Sequence, residues 1–289
     1  MRFINIFIYF LFELKKIIAY LLIFLLVVGA IFYFYSESES LRQELTVSYR
    51  VRMDGNFVIT YPYGLDDYAE AILQICSKAS QGFKAIYRLS VQTSARISIY
   101  VSSNCSQLLL YTNYYQIYLN LTTDEDLLPP TMGGHHQIFG FCHEIGHMIF
   151  LVDNYDFNEG WATYSAAFRI VPYVYQSLGQ NVWPQPYNYS EADGSDRYLK
   201  FVFENQTLCT PGSMYAATKL LYTIDQKCGQ YGPLLLGDAI RTLEKNGSLK
   251  HGLGYPWYNL GEFKDTLTRQ LASYFNDTTI ESLFSEYGF

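Results

Sequence analysis

The sequence predicts an α+β protein in which an N-terminal transmembrane helix precedes a β-rich N-lobe and then a helical C-lobe. Three observations carry that expectation. A 19-residue uncharged run lies near the start, alternating apolar residues mark the next part, and apolar spacings of three and four fill the rest. Of the 289 residues, 49% are hydrophobic and only 16% charged, and the net charge is −7. Such a chain is neither intrinsically disordered nor a basic nucleic-acid binder.

The first element is Ile17–Tyr35, IIAYLLIFLLVVGAIFYFY. At 1.5 Å per residue it matches a hydrocarbon core of about 30 Å. Arg2, Lys15 and Lys16 precede it and Glu37 and Glu39 follow. The positive flank is expected in the cytoplasm and the remainder outside the cell, as in a single-pass cell-membrane protein. Residues 1–16 read as a cytoplasmic or interfacial segment, 17–35 as the anchor and 36–44 as a short stalk. A cleaved signal peptide is the alternative, but its apolar region would be about 7–15 residues long and end in small residues. Here aromatics follow Gly29-Ala30.

Residues 1–35 carry +2, from Arg2, Lys15 and Lys16 against Glu13, so the whole-chain −7 leaves −9 on the rest. That part also holds six Asn-x-Ser/Thr sites, at Asn104, Asn120, Asn188, Asn205, Asn246 and Asn276. Chance gives roughly two, so an extracellular glycoprotein is expected. The five cysteines suit an oxidising compartment. A Cys209–Cys228 bridge is expected, with Cys76–Cys105 as a second pairing and Cys142 as a small buried residue.

Residues 45–130 form the expected β-rich lobe with one helix. Val47, Tyr49, Val51 and Met53 alternate with polar residues, Asp54-Gly55 supplies a turn, and Asn56–Tyr61 returns as an apolar run, which is a hairpin pattern. Asp66 opens a helix whose apolar positions Ala69, Ile72, Cys76, Ala79, Phe83 and Ile86 step by three and four. Arg96–Val101 and Tyr114–Leu121 read as strands. Residues 131–289 read as all helical, with periodic segments over 135–150, 158–178, 212–228, 233–245, 261–275 and 277–285.

The chemistry concentrates at residues 143–147, His-Glu-Ile-Gly-His. Positions i and i+4 share one face of a helix, so His143 and His147 can aim at one ion, with Glu144 beside them as a base for water. An apolar context of Ile138, Phe141, Cys142, Ile145 and Met148 would bury the pair, and buried histidines are costly unless something satisfies them. A catalytic zinc takes three protein ligands and keeps one position for water. Glu159, in Asn158-Glu159-Gly160-Trp161-Ala162, is the third candidate, on a second helix capped by Asn158 or Asp156. Asp153 and Asp156 are rivals read as solvated or capping residues. His135 and His136 read as surface or cap residues.

HEIGH followed by NEGWA resembles the pattern of the gluzincin zinc metallopeptidases, whose thermolysin-like, peptidase-MA-like core carries HExxH and then a glutamate on the next helix. The order of hairpin, helix and strands before the metal helix is similar to the catalytic N-lobe of that family. The resemblance implies a zincin-like metalloprotease domain with Zn2+ held by His143, His147 and Glu159 and with Glu144 as catalytic base. It also implies an oxyanion-stabilising Tyr or His from the C-terminal part, for which Tyr215 and His251 are candidates. Two departures stand out. Thr163 occupies the position of a family aspartate that orients the first histidine, and no GxMEN-like segment is present to grip a free amino terminus.

The expected function is therefore a membrane-anchored, extracellular zinc metalloendopeptidase acting on peptides or proteins, with the N-terminal helix as its membrane contact and no nucleic-acid partner. The alternatives are a catalytically idle surface receptor or adhesin on the same fold, and a zinc hydrolase acting on other bonds.

Overall fold

The computed structural model describes residues 48–91, 95–101, 109–113, 116–121, 135–178, 209–252, 255–275 and 279–289, with Val28 alone before them. Residues Tyr49–Phe289 form one compact unit, separate from Met1–Ser48.

Strands β1 (Tyr49–Asp54) and β2 (Phe57–Pro62) make the expected hairpin around Gly55, whose φ of 54° suits a tight turn. Helix α1 (Asp66–Tyr87) then crosses to β3 (Ala95–Val101), which pairs parallel with β2. Strands β4 (Leu109–Asn113) and β5 (Gln116–Leu121) complete a sheet of order β1-β2-β3-β5-β4. β5 is parallel to β3, and β4 runs antiparallel on the edge. Ile59, Ile97 and Ile117 stand in one row across β2, β3 and β5, each fully buried. Ala69, Ile72, Cys76, Ala79 and Phe83 of α1 are buried in the same core, as their spacing predicts. On β1, Arg50 and Arg52 reach Asp66 and Glu70 and tie the hairpin to α1.

The remainder consists of α2 (His135–Ile149), α3 (Tyr155–Ser165), a π-helical turn (Ala166–Ile170), α4 (Val171–Leu178), α5 (Met214–Cys228), α6 (Gly232–Lys245), α7 (Leu260–Phe275) and α8 (Thr279–Glu286). Between α6 and α7 lies a short hairpin, β6 (Lys250–Gly252) with β7 (Tyr255–Trp257).

The structure corrects the predicted fold class. The described chain is mainly helical with a small mixed sheet, and the sheet with its single 22-residue helix is confined to the first part. The second part is not all helical, because the β6–β7 hairpin interrupts it. No helix among the described residues is long and apolar enough to cross a membrane. Apart from Val28, the expected transmembrane segment Ile17–Tyr35 lies outside the described residues.

The expected Cys209–Cys228 bridge is also corrected, since no disulfide joins the two, and Cys76 and Cys142 are buried free thiols. Cys105 lies outside the described residues. Cys142 is a buried core residue whose thiol burial pushes up, so it stays protonated.

Candidate metal centre

Two helices and the five residues between them build the site. Asn154 caps α3 by accepting a hydrogen bond from Phe157 N at 2.8 Å. The helix therefore starts at Tyr155, a turn earlier than a cap at Asn158 or Asp156 would allow. Asn158 is occupied elsewhere, donating to Val152 O at 2.9 Å and accepting from Val152 N at 2.7 Å. Asp153 accepts from Leu260 N and Asn259 Nδ2, fastening the loop to the start of α7. Tyr258 pairs with the same loop through Leu151 O and Asp153 N. The turn is thus pinned on both sides, which fixes how α3 leaves α2. Asp153 acts as a cap and Asp156 is exposed, so neither rival competes for the ion.

Two glycines set the approach of the helices. A Cβ on Gly146 would meet Ala162 Cα at 3.1 Å and Ser165 Oγ at 3.2 Å. The Gly146 carbonyl accepts from Trp161 Nε1 at 3.1 Å. A Cβ on Gly160 would sit 2.3 Å from Ala217 Cβ, so α5 lies directly against α3 beside Glu159. Gly146 is therefore the packing position that brings the ligand-bearing faces of α2 and α3 together, while Gly160 seats α5 against α3.

The ligand atoms converge as the spacing predicts. His143 Nε2 lies 3.0 Å from His147 Nε2, 3.3 Å from Glu159 Oε2, and His147 Nε2 lies 3.4 Å from Glu159 Oε1. An ion bonded at about 2.0–2.1 Å in tetrahedral geometry holds its ligand atoms about 3.3–3.4 Å apart. Burial holds His143 below the usual histidine range against the opposing pull of Glu159, so the ring is neutral near pH 7. Burial would raise the Glu159 carboxyl, but its hydrogen bonds to His143 and His147 outweigh that and hold it well below the usual carboxylate range. Two imidazoles and a carboxylate that converge in this way offer lone pairs that a cation can satisfy together. His143, His147 and Glu159 are the metal-ligand cluster found among the described residues, and Glu144 is not a member. Glu144 itself is 8% exposed.

Thr163, which stands at the position of the family aspartate, has its Oγ1 3.4 Å from His143 Nδ1, so a hydroxyl takes the place of an orienting carboxylate. Two residues near this cluster escaped sequence reasoning. Tyr155, one turn before Glu159 on α3, is 74% exposed at the site. The Glu159 charge pushes its phenol up, with burial and a hydrogen bond to that carboxylate adding, and Asp156 and Glu144 contribute further. Asn154 is the true cap. An i,i+4 count back from Glu159 would have found Tyr155.

Of the other expected site residues, Tyr215 is half-buried in the first turn of α5. His251 lies on β6 opposite Pro256, and its side chain is outside the described residues, as are those of His135 and His136.

Fold and site together place a triad that could hold a metal ion on a pair of helices beside a mixed sheet. No protein-family model matches the chain, and no curated protein matches it.

Proposed function

We propose that this protein is a zinc-dependent metalloendopeptidase. The observation that carries the reading is the convergence of His143 Nε2, His147 Nε2 and a Glu159 carboxylate within 3.0–3.4 Å, with a second glutamate, Glu144, on the same helix but outside the cluster. Two imidazoles and one carboxylate are a borderline-soft set that suits zinc and leaves room for water. Zinc held there supplies Lewis acidity, acidifying a water and polarising the scissile carbonyl.

The chain's own residues do the rest. Glu144 takes the proton of the attacking water and returns it to the departing amine. The Tyr155 hydroxyl, next to Glu159 and within electrostatic reach of Glu144, donates to the carbonyl oxygen as charge builds on it. It is a better-placed donor than Tyr215, which no contact links to the cluster. Thr163 fixes the His143 ring by engaging its far nitrogen. A peptide substrate is favoured by β4, packed beside α2 and the edge strand of the sheet among the described residues, where backbone pairing with an extended chain is the expected mode.

Purified protein with stoichiometric zinc should cleave an unstructured protein such as casein, and a chelator should stop it. Glu144→Gln should lose at least about 100-fold in kcat while retaining zinc. Undiminished cleavage by that variant would reject the mechanism, and absence of bound zinc in the wild type would reject the metal.

A further inference from the structure

A second cavity, of about 370 Å³, lies where the end of α1, the start of α6 and the end of α7 meet, on elements that carry no metal ligand. Leu235 is buried at its base. Tyr231, Tyr274 and Phe275 rim it with rings that are 54%, 69% and 42% exposed. Aromatic surface held open around an apolar floor is a common feature of binding sites.

Arg88 reaches this cavity from an unusual backbone position. It follows α1 with φ 56° and ψ 30°, and it is the only non-glycine at positive φ among the described residues. Glycine or asparagine is the ordinary occupant of such a helix end. Its backbone N–H caps Phe83 O, and the last carbonyls are taken by Arg241, whose Nη1 donates to Tyr87 O at 2.7 Å and to Arg88 O at 3.0 Å, so the Arg88 side chain is not used by the helix end. Gly237 makes that possible: a Cβ there would lie 1.8 Å from Tyr87 O, so α6 rests directly on the end of α1. Among the described residues no acidic side chain pairs with the Arg88 guanidinium. Asp238, also lining the cavity, is bonded to Arg241. The cavity thus presents one uncompensated cation, one carboxylate with acceptor sites to spare and an apolar floor.

We propose that this cavity binds the C-terminal end of a peptide. Arg88 takes the terminal carboxylate as a two-pronged pair, Asp238 accepts an amide N–H, and the last side chain, an apolar one, rests on Leu235 between the rim rings. The exposed rim favours this occupant over a fatty acid, whose long tail would stay wetted, whereas a peptide leaves the cavity through its polar backbone. The inference is independent of the metal chemistry.

The test is calorimetric titration of the full chain with N-acetyl-Leu-Phe as free acid, with its C-terminal amide and with decanoate. The acid should bind about tenfold or more tighter than the amide. Arg88→Ala should erase that preference, Arg88→Lys should keep part of it, and Tyr274→Ala should weaken acid and amide alike. Arg88→Gly, which suits the positive φ, should melt no lower than the wild type yet lose the preference, so that lost binding is not lost folding. Equal binding of acid and amide, or an unchanged preference in Arg88→Ala, overturns the proposal. Decanoate binding tenfold tighter than the peptide acid overturns the choice of a peptide end.

Discussion

Two polar clusters share α3, one joining it to α2 and the other joining it and the turn after it to α5, and they solve the same problem in opposite ways. In the first, Asp225 of α5 accepts from Tyr164 Oη at 2.7 Å and from Arg169 Nε and Nη2 at 2.9 and 2.6 Å, all on Oδ2. The negative charge has its own cation, brought to it by the π-helical turn that carries Arg169. In the second, the His143 and His147 rings and the Glu159 carboxylate converge, and among the described residues no Lys or Arg pairs with them. The first cluster carries its own countercharge, although Asp225 Oδ1 is buried without a hydrogen-bond partner among the described residues, and the second calls for an ion. The difference teaches that burial of polar groups is not itself a functional signal; the balance of donors and acceptors within the cluster is.

The largest expected effect breaks the self-sufficient cluster. Asp225→Ala strands Arg169 and Tyr164 and should cost about 3–5 kcal/mol. The lower end applies because the Arg169 side chain is 32% exposed and can hydrate. Urea denaturation measures it, and the loss should be the same with and without a chelator. A chelator-dependent loss would mean that the two clusters are coupled through α3.

The next prediction removes the ion instead. Zinc held at 1,000 times its dissociation constant stabilises the fold by about 4 kcal/mol, so chelation should lower the melting temperature by several degrees. Asp225→Ala should keep that chelator response and His147→Ala should lose it. If wild type and His147→Ala respond alike, the histidine pair does not hold the metal.

How far this contrast could be read from the sequence depends on how local each cluster is. His143 and His147 lie four apart on one helix, so spacing alone places them together, and Glu159 is separated from them by a short pinned turn. The Asp225 cluster joins residues 56 and 61 positions apart through a π-helical turn, Ala166–Ile170, whose sequence AAFRI reads as ordinary helix. Boundaries followed the same logic. The hairpin at Gly55 and the helix from Asp66 were legible because alternation and three–four spacing persist over several residues. β4 and the β6–β7 hairpin were missed because five- and three-residue strands give no period to count. The start of α3 was misplaced because Asn154 and Asn158 are equally good caps in sequence, and only the tertiary pairing of Asn158 with Val152 decides between them.

The smallest effect concerns an exposed counterpart of the Asp225 cluster. Asp66, at the start of α1, accepts from Arg50 Nη1 at 2.8 Å and from Tyr61 Oη at 2.9 Å. The hydrogen bond from Arg50 is the main reason its carboxyl lies below the usual aspartate range, with the Tyr61 bond second and burial opposing. A carboxyl whose folded-state pKa is depressed stabilises the fold above its unfolded value of about 3.9, and the contribution fades as pH falls through the lower folded value. Acid unfolding of the wild type should therefore include a component in that window that Asp66→Asn lacks, while the two proteins keep a constant stability difference from pH 6 to 8. Salt should shrink that difference, because the pair is solvent-accessible and screened, whereas the Asp225→Ala loss should hardly respond to salt. Equal salt sensitivity of the two losses would place both aspartates in the same environment and remove the distinction between a buried, self-neutralised cluster and a surface pair.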